Sequence, residues 1–293
     1  MDILKELETI KENNNHRSLK MDKEARIISH FTHALNGDDG ALLGDFVYSK
    51  DLFIENVHFK REWLSMQEIG AKAVLVNLSD AIAMNATPLF ALLGLALPKE
   101  LENDEINALC AGILSTCAKH GVSIIGGDTT SADKIIISLT IISKANKKTL
   151  FRKQSKNGDF IAFTGSLGLY LKGLKTLQNG GKIARNSRFI KPSLRIEFMK
   201  KTAKILTSAM DISDGLANDL PKFLGKKGAK ISAKLSKNQW LSGEEYELLV
   251  AFSPKNKARV LAYAKQTRTK LTIIGQVKNG YLKIPKYRAF KHF

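Results

Sequence analysis

The spacing of apolar residues predicts two long helices in the first half of the chain. In SMQEIGAKAVLVNLSDAIAMNA the apolar side chains recur at helical intervals, and the buried stripe would contain Ile69, Ala73, Val76 and either Ile82 or Ala83. The segment NDEINALCAGILSTCAKHG has the same periodicity, with Asn103 as its expected N-cap and Gly121 at its end. Between these helices lies LFALLGLAL, which is apolar on both faces and predicts a strand.

Further strands are predicted where short apolar runs end at glycine-rich or polar turns. They are expected in ALLGDFVYSKD, LFIENVHF, VSIIGGDTT, KIIISLTIISKA, FIAFTGSLG, AMDISDG, EYELLVAF and TIIGQV. Shorter helices are expected within residues 1–29, in LYLKGLKTLQNG, at about 193–206, in LANDLPKFLGKKG and in PKNKARVLAYAKQ. A polar, basic connector begins near residue 145. We therefore expect the α/β (α+β) class, with two α/β domains at 1–144 and 145–293.

Composition limits the class of protein. The chain has 293 residues, 44% of them hydrophobic and 25% charged, as expected of a globular protein with a substantial core. Its two cysteines, Cys110 and Cys117, exclude a disulfide framework. The N-terminus lacks the apolar segment of a signal peptide, and LFALLGLAL is too short to cross a bilayer. The sequence thus predicts a cytoplasmic protein without a membrane anchor.

The net charge raises the question of nucleic-acid binding. Lys and Arg number 46 against 28 Asp and Glu, which gives a formal charge of +18. The basic residues are spread along the chain, and no zinc-finger spacing, RNP pattern or basic helix accompanies them. We therefore expect a solvated basic surface and no specific nucleic-acid partner, with a basic nucleic-acid-binding protein kept as the less favoured alternative.

Acidic residues concentrate at turns that follow apolar segments. They are Asp38 and Asp39 in GDDG, Asp51 in YSKDLFIENVHF, Asp80 in NLSDAIAM, Asp128 in IGGDTT, and Asp211 and Asp214 in MDISDG. A single aspartate at a turn, such as Asp219, is explained by capping or by an Asx-turn. If the other turns converge, their carboxylates would repel one another unless cations lie between them. Such a site suits Mg²⁺ that bridges protein carboxylates and substrate phosphates.

Other routes to nucleotide chemistry lack their signatures. The chain has no GxxxxGK[ST] P-loop, no HRD or DFG motif of a protein kinase, and neither HExxH nor GxSxG. The acidic, glycine-flanked turns therefore predict Mg-nucleotide chemistry on a different scaffold.

Several motifs together identify a family. GDDGALL, VHF, AVLVNLSDAIAMNATP, IIGGDTT, FRKQSKNGDFIAFTGSLG, MDISDGLANDL and GEEYELL occur in the order seen in thiamine-monophosphate kinases. These kinases belong to the superfamily of aminoimidazole ribonucleotide synthetase and selenophosphate synthetase. The resemblance covers roughly residues 26–252 and an aromatic ending, YRAFKHF. NLSDAIAM, MDISDGL and EEYEL are more similar to the kinase than to other superfamily members.

The resemblance implies a fold, a reaction and a set of site residues. It implies two domains of the aminoimidazole ribonucleotide synthetase-like type whose N-terminal halves pair in a homodimer. It implies that ATP phosphorylates thiamine monophosphate to thiamine diphosphate by direct, in-line, Mg²⁺-assisted transfer. Magnesium positions match Asp39, Ser49, Lys50, Asp51, Asp80, Asp128, Asp211 and Asp214; nucleotide positions match Asp128, Arg152 and Ser213; thiamine-phosphate positions match His58, Glu244 and Phe290.

The sequence also departs from the family pattern. Lys50 stands where the family usually has Thr, Asn56 and Asn85 stand where Gly is common, and Glu245 replaces Asp. The segment before LSGEEYELL is shorter than in most members. The alternative enzyme is another ATP-dependent member of the superfamily that acts on a different phosphorylated acceptor.

Overall fold

A computed structural model describes residues 23–280 of the chain. Residues 23–36 belong to a separate compact unit and contain helix α1, Lys23–Ile28. The rest of the described chain belongs to a second compact unit that starts at Gly37. The part of the predicted N-terminal helix that precedes residue 23 lies outside the described residues, as does Phe290.

The first sheet has five strands in the order β1-β2-β5-β3-β4. They are β1 (Ala41–Leu43), β2 (Phe46–Ile54), β3 (Ala86–Leu97), β4 (Ser123–Ser131) and β5 (Ile136–Ala145). Strands β3 and β4 pair in parallel, and the other neighbours pair antiparallel. Two long helices accompany this sheet, α2 (Met66–Ala83) and α3 (Asn103–Lys119).

The second sheet has five antiparallel strands in the order β7-β9-β6-β10-β8. They are β6 (Phe160–Thr164), β7 (Leu206–Asp211), β8 (Gly228–Ile231), β9 (Leu248–Phe252) and β10 (Leu271–Lys278). The helices of this half are α4 (Leu169–Gln178), α5 (Ile196–Thr202), α6 (Leu216–Leu224), α7 (Lys237–Leu241) and α8 (Lys257–Gln266), with 3₁₀ turns at Ala203–Ile205 and Pro254–Asn256. The predicted mixed class of helix and sheet is confirmed.

Helix α2 is the element that joins the two sheets. It begins with a capping box in which Ser65 and Glu68 satisfy each other's backbone N–H groups. The predicted stripe Ile69, Ala73, Val76 is buried. Beyond that stripe, the helix packs against β2, β3 and β5 of the first sheet and against β7 of the second. Its residues can therefore meet side chains from both halves of the chain.

Helices α2 and α3 cross at two glycines. A Cβ atom on Gly70 would lie 2.3 Å from the carbonyl oxygen of Leu109, and one on Gly112 would lie 2.1 Å from that of Gln67. Both distances are far inside van der Waals contact, so a larger residue at either position would push the helices apart.

The first sheet leaves one of its faces exposed. Along β2, Val47, Ser49, Asp51 and Phe53 turn toward the helices, while Tyr48, Lys50 and Leu52 alternate onto the opposite face. Large apolar side chains are exposed on this sheet at Leu43, Tyr48, Leu52, Phe90, Leu92 and Ile125. A face of this composition is typical of an interaction surface.

The structure corrects several sequence expectations. The turn at Gly44 and Asp45 divides ALLGDFVYSKD, so that β2 runs without a break through both predicted strands. Glu102, not Asn103, is the N-cap of α3. Strand β8 and helix α7 were not predicted, because both are short and lie in polar sequence. Within residues 23–280, no helix combines the length and the apolar character needed to cross a bilayer.

The predicted domain boundary after residue 144 falls at the end of β5, before the second sheet begins. Both sheets lie within the same compact unit. The division into domains at 1–144 and 145–293 stays a prediction.

Candidate active site

Three carboxylates from separate segments converge between the sheets. One carboxylate oxygen from each of Asp39, Asp80 and Asp211 lies within 4.8 Å of the other two. Asp39 lies in the loop before β1, Asp80 in the last turn of α2, and Asp211 at the end of β7. Asp39 and Asp211 are buried, and Asp80 is half-buried. The sequence motifs GDDG, NLSD and MDISDG therefore meet in space.

Arg152 is the cation beside this cluster. Its Nε donates to Asp39 Oδ1 at 2.7 Å, and its terminal guanidinium nitrogen donates to the same oxygen. Its backbone N–H donates to Asp38 Oδ1 at 2.9 Å. The adjacent pair in GDDG thus holds Arg152 at both its backbone and its side chain.

The pKa values in the cluster show how the carboxylates crowd one another. Burial raises the pKa of Asp39 to about 8, although Arg152 opposes the shift, and the charges of Asp211 and Asp38 add to it. Burial also raises the pKa of Asp80 well above its usual value, and Asp51, Asp211 and Asp39 raise it further. Near neutral pH, Asp39 and Asp80 would therefore ionise fully only with a further cation beside Arg152.

Side chains of α2 fix the neighbouring segments. Ser79 Oγ donates to Asp211 Oδ2 at 2.6 Å, which ties α2 to β7. The amide oxygen of Asn77 accepts from the backbone N–H of Asp51 at 3.0 Å, which ties α2 to β2. The NLSD motif therefore supplies one acidic side chain, orients the carboxylate of Asp211 and fixes the backbone at Asp51.

A second group of acids lies in the turn after β7. The backbone N–H of Asp214 donates to Asp219 Oδ2 at 3.0 Å, so Asp219 braces this turn from inside α6, whereas Gly215 is the N-cap of the helix. The ammonium of Lys222 pairs with Asp214. Burial raises the pKa of Asp211, the Ser79 hydrogen bond and the charge of Arg152 oppose this shift, and the charge of Asp214 adds to it.

The same turn packs against the turn of GEEYE. The backbone N–H of Glu244 donates to the carbonyl oxygen of Ser213 at 2.7 Å. Glu244 and Tyr246 adopt positive φ values of 55° and 52°, a conformation that is strained for residues other than glycine. Ser213, predicted on the nucleotide side, and Glu244, predicted on the acceptor side, are thus joined through their backbones.

The other two acids of GEEYE are structural. The carboxylate of Glu245 accepts from Gly168 N at 2.6 Å, Tyr170 N at 3.2 Å and Ser242 Oγ at 2.5 Å, and so caps helix α4. Glu247 pairs with Arg195 and accepts from Thr164 Oγ1. Glu244 is the acid of this motif that remains for ligand recognition.

His58 lies beside the aromatic core of the first half. Its Nδ1 accepts from the backbone N–H of Ile54 at 3.0 Å, and its ring is 5.4 Å from that of Phe53. Because Nδ1 accepts this hydrogen bond, a neutral His58 ring carries its proton on Nε2.

The remaining predicted residues lie outside the cluster of three. Ser49 shares the inward face of β2 with Asp51, and its Oγ is buried without a hydrogen-bond partner among the described residues. The Lys50 side chain points to the opposite face and donates to Ser138 Oγ. Asp128 is exposed on β4 and accepts from Thr129 N at 2.9 Å. Phe290 lies outside the described residues.

The donors of the cluster suit a hard cation. All are carboxylate oxygens, the ligand type that Mg²⁺ prefers. Asp39 Oδ2 is buried and has no hydrogen-bond partner among the described residues, so it could become a ligand without breaking a contact. Asp39, Asp80 and Asp211 therefore fit Mg²⁺.

Sequence reasoning missed four side chains that surround the site. Ser79 and Asn77 stand in the same motif as Asp80, so their proximity to it was a usable signal. Asp38 was singled out as an acid but not as a ligand of the Arg152 backbone. Lys72, buried next to Glu244, had no signal at all, because lysine on a helix is normally exposed.

Two domain families cover most of the chain. The family AIR synthase related protein, N-terminal domain, matches residues 37–145, and its C-terminal domain counterpart matches residues 156–285. These two ranges contain the first and the second sheet, respectively.

Relatives and solved structures make the family assignment more specific. The thiamine-monophosphate kinase of Leptospira interrogans is 30% identical over 258 residues, 80% of this chain and 82% of the relative. That of Buchnera aphidicola is 31% identical over 277 residues, 83% of this chain and 84% of the relative. The structure of AaThiL complexed with AMPPCP and TMP superposes with a TM-score of 0.78 at 25% identity, over 91% of this chain and 94% of that one. The chain belongs to the thiamine-monophosphate kinase family.

Proposed function

We propose that this protein transfers the γ-phosphoryl group of ATP to thiamine monophosphate and so forms thiamine diphosphate. The observation that carries the proposal is the convergence of Asp39, Asp80 and Asp211, with Arg152 beside them, in a member of this kinase family. The AaThiL complex with AMPPCP, an ATP analogue, and TMP supports both substrates.

The chemistry calls for charge neutralisation more than for a base. A phosphate monoester has a second pKa of about 6, so the acceptor phosphate is mostly dianionic near neutral pH and is already nucleophilic. The barrier is the repulsion between two polyanions. Asp39, Asp80 and Asp211 would hold Mg²⁺, which when bound would neutralise phosphate charge.

The residues of the chain bind and orient the two substrates. Arg152 supplies a fixed positive charge that Asp38 and Asp39 hold in place. Ser213 and Asp128 complete the proposed nucleotide side. His58, Glu244 and Phe290 form the proposed acceptor side. Because the Ser213 and Glu244 backbones are hydrogen-bonded, the two sides meet at one turn, which suits direct transfer without a phosphoenzyme.

The outer metal positions are part of the same proposal. Asp51 and Asp214 lie close enough to the cluster for their charges to raise the pKa values of Asp80 and Asp211, after burial has done so. Mg²⁺ would also be bound, together with the nucleotide, by Ser49, Lys50 and Asp128. Lys50 would bind through its backbone carbonyl, because its side chain faces away.

We propose the homodimeric assembly that the resemblance to the family implies. The exposed apolar face of the first sheet supports a homodimer formed by the N-terminal halves. A cytoplasmic location and the absence of a specific nucleic-acid partner stay predictions from the sequence.

An acceptor panel tests the proposal against the alternative enzyme. Purified protein would be incubated with MgATP and, separately, thiamine monophosphate, unphosphorylated thiamine and a set of phosphorylated ribosyl compounds. We expect ADP formation above background with thiamine monophosphate alone. Turnover of another phosphorylated acceptor, with thiamine monophosphate inactive, would favour a different member of the superfamily.

A further inference from the structure

Lys72 is a charged side chain in the interior of the protein. It lies on α2, its side chain is 0% exposed, and its Nζ has no hydrogen-bond partner among the described residues. Three aromatic rings surround the ammonium: those of Phe53, Tyr170 and Phe189, with centroids at 5.5, 4.8 and 4.6 Å. Its one ion-pair partner within the described chain is Glu244, whose Oε2 lies 3.9 Å away.

The rings stabilise the ammonium without using the carboxylate. Burial lowers the pKa of Lys72 to about 8, while the charge of Glu244 opposes this shift. Aromatic faces attract a desolvated cation through their quadrupoles and form no conventional hydrogen bond with it. Lys72 can therefore keep its charge at neutral pH while Glu244 Oε2 makes no hydrogen bond to it.

Glu244 is held as a residue that presents its side chain to a ligand. Its backbone has a φ of 55°, and its N–H is fixed by the carbonyl oxygen of Ser213. Its Oε2 is buried and has no hydrogen-bond partner among the described residues. An ammonium at 3.9 Å attracts this oxygen without occupying its lone pairs.

Phe53 connects this pair to the other acceptor residue. Its ring lies 5.5 Å from Lys72 Nζ and 5.4 Å from the ring of His58. Lys72, Glu244 and His58 therefore border the same part of the molecule.

We propose that Lys72 is a positioning residue for the acceptor: its caged ammonium attracts the Glu244 carboxylate and holds it in place, so that Oε2 can accept a hydrogen bond from thiamine monophosphate. The inference rests on the proposed function, because it assigns Lys72 to the acceptor side of that reaction. Lys72 acts through Glu244 and does not itself touch the substrate.

A double-mutant cycle tests the inference. The wild type, Lys72→Met, Glu244→Gln and the double variant would be compared by steady-state kinetics with each substrate varied. Lys72→Met and Glu244→Gln should each raise the KM for thiamine monophosphate by about tenfold or more, the loss expected for a hydrogen bond to a charged group. The KM for ATP should stay unchanged. The double variant should bind the acceptor no more weakly than Glu244→Gln, since both changes remove the same interaction.

Controls separate this role from a purely structural one. Lys119→Met removes a lysine from the exposed surface of α3 and should leave every constant unchanged. Urea unfolding shows which variants are folded. If Lys72→Met does not fold, Lys72→Gln, which removes the charge but keeps a polar end in the cage, takes its place in the cycle. A raised acceptor KM in that folded variant, with an unchanged ATP KM and no further rise on adding Glu244→Gln, supports the inference.

Three results would overturn it. They are an unchanged acceptor KM in folded Lys72→Met, an acceptor KM in the double variant well above that of Glu244→Gln, and failure of the double variant to fold. A wild type that does not phosphorylate thiamine monophosphate would refute the proposed function and the inference together. A wild type that does so, while Lys72→Met keeps its KM, would refute the inference alone.

Discussion

Asp80 is the residue on which the carboxylate cluster depends most. It is the one member that α2 contributes, and the charges of Asp51, Asp211 and Asp39 all act on it. An amide at this position has nearly the same shape but carries no charge and is a poor Mg²⁺ ligand.

We therefore predict that Asp80→Asn lowers kcat by on the order of a hundredfold or more. Without Mg²⁺, its thermal midpoint should equal or exceed that of the wild type, because one of several mutually repelling carboxylates is gone. Kinetics and thermal unfolding measure the two effects, with Asp133→Asn at an exposed position as the matched control. Near-normal turnover by folded Asp80→Asn would refute the assignment.

His58 and Asp128 should have separable effects on the two substrates. His58→Ala should raise the KM for thiamine monophosphate more than that for ATP, because His58 borders the acceptor side with Glu244. Asp128→Asn should instead lower kcat, because a metal ligand stabilises charge that shifts in the transition state. His120→Ala is the control, as His120 lies at the end of α3. An effect of His58→Ala on the ATP KM alone would mean that the two sides are reversed.

For individual residues, the acidic side chains of the site could be predicted from the sequence better than the side chains that surround them. Asp39, Asp80 and Asp211 were recognised as acids beside Gly or Ser near the ends of apolar segments, although Asp80 lies in a helix and not in a turn. Asn56 and Asn85, which stand where the family commonly has Gly, have φ values of 66° and 55°, and asparagine tolerates this left-handed conformation better than most residues. The two asparagines can therefore adopt the backbone conformation that glycine would adopt at these positions. The burial of Lys72 was not predictable, since it depends on rings from three distant segments.

Among the elements, α2 carries the greatest share of the site. In order along the helix, its side chains lie beside Glu244 on the proposed acceptor side, strand β2, strand β7 and the other carboxylates of the cluster. Its position is set by its crossing with α3 at Gly70 and Gly112. A change at this crossing should therefore alter stability and activity together.

We predict that Gly112→Ala destabilises the protein by about 1–3 kcal/mol, the usual cost of overpacking. Helix propensity alone would give the opposite sign, a gain of about 1 kcal/mol. Urea unfolding measures the difference. Ala111→Gly, at the exposed neighbouring position, should change the free energy of unfolding only through the difference in helix propensity between Ala and Gly. A Gly112→Ala protein as stable as the wild type would show that the crossing is not close-packed.

Element prediction succeeded where periodicity was long and failed where it was short. Helices α2 and α3 were predicted from clear helical periodicity, and strand β3 was predicted from a continuous apolar run. The division between β1 and β2 was misplaced, because the Gly44–Asp45 turn and the polar SKD segment both look like breaks. In SKD, alternate side chains face opposite sides of one strand, which a linear pattern cannot distinguish from a turn.

For the whole molecule, the exposed apolar face of the first sheet is the feature that predicts assembly. Leu52, Phe90 and Leu92 are 49%, 38% and 40% exposed on neighbouring parts of this sheet. Pairing with a second copy would bury them.

Accordingly, we predict that the protein is a homodimer at micromolar concentration and that Leu92→Glu converts it to a monomer. Analytical ultracentrifugation measures the change. Leu114→Glu, at a residue of α3 that is 57% exposed, is the matched control and should stay dimeric. A wild-type monomer that remains fully active would contradict the predicted pairing of the N-terminal halves.

The central claim is direct transfer between two substrates, and an isotope experiment tests it most directly. The protein would be incubated with Mg²⁺, γ-labelled ATP and thiamine monophosphate, and the labelled products would be separated. The site predicts that the label appears in the terminal phosphate of thiamine diphosphate, one for each ADP formed, with none retained on the protein. Label in inorganic phosphate alone, or on the protein as an intermediate, would contradict the account.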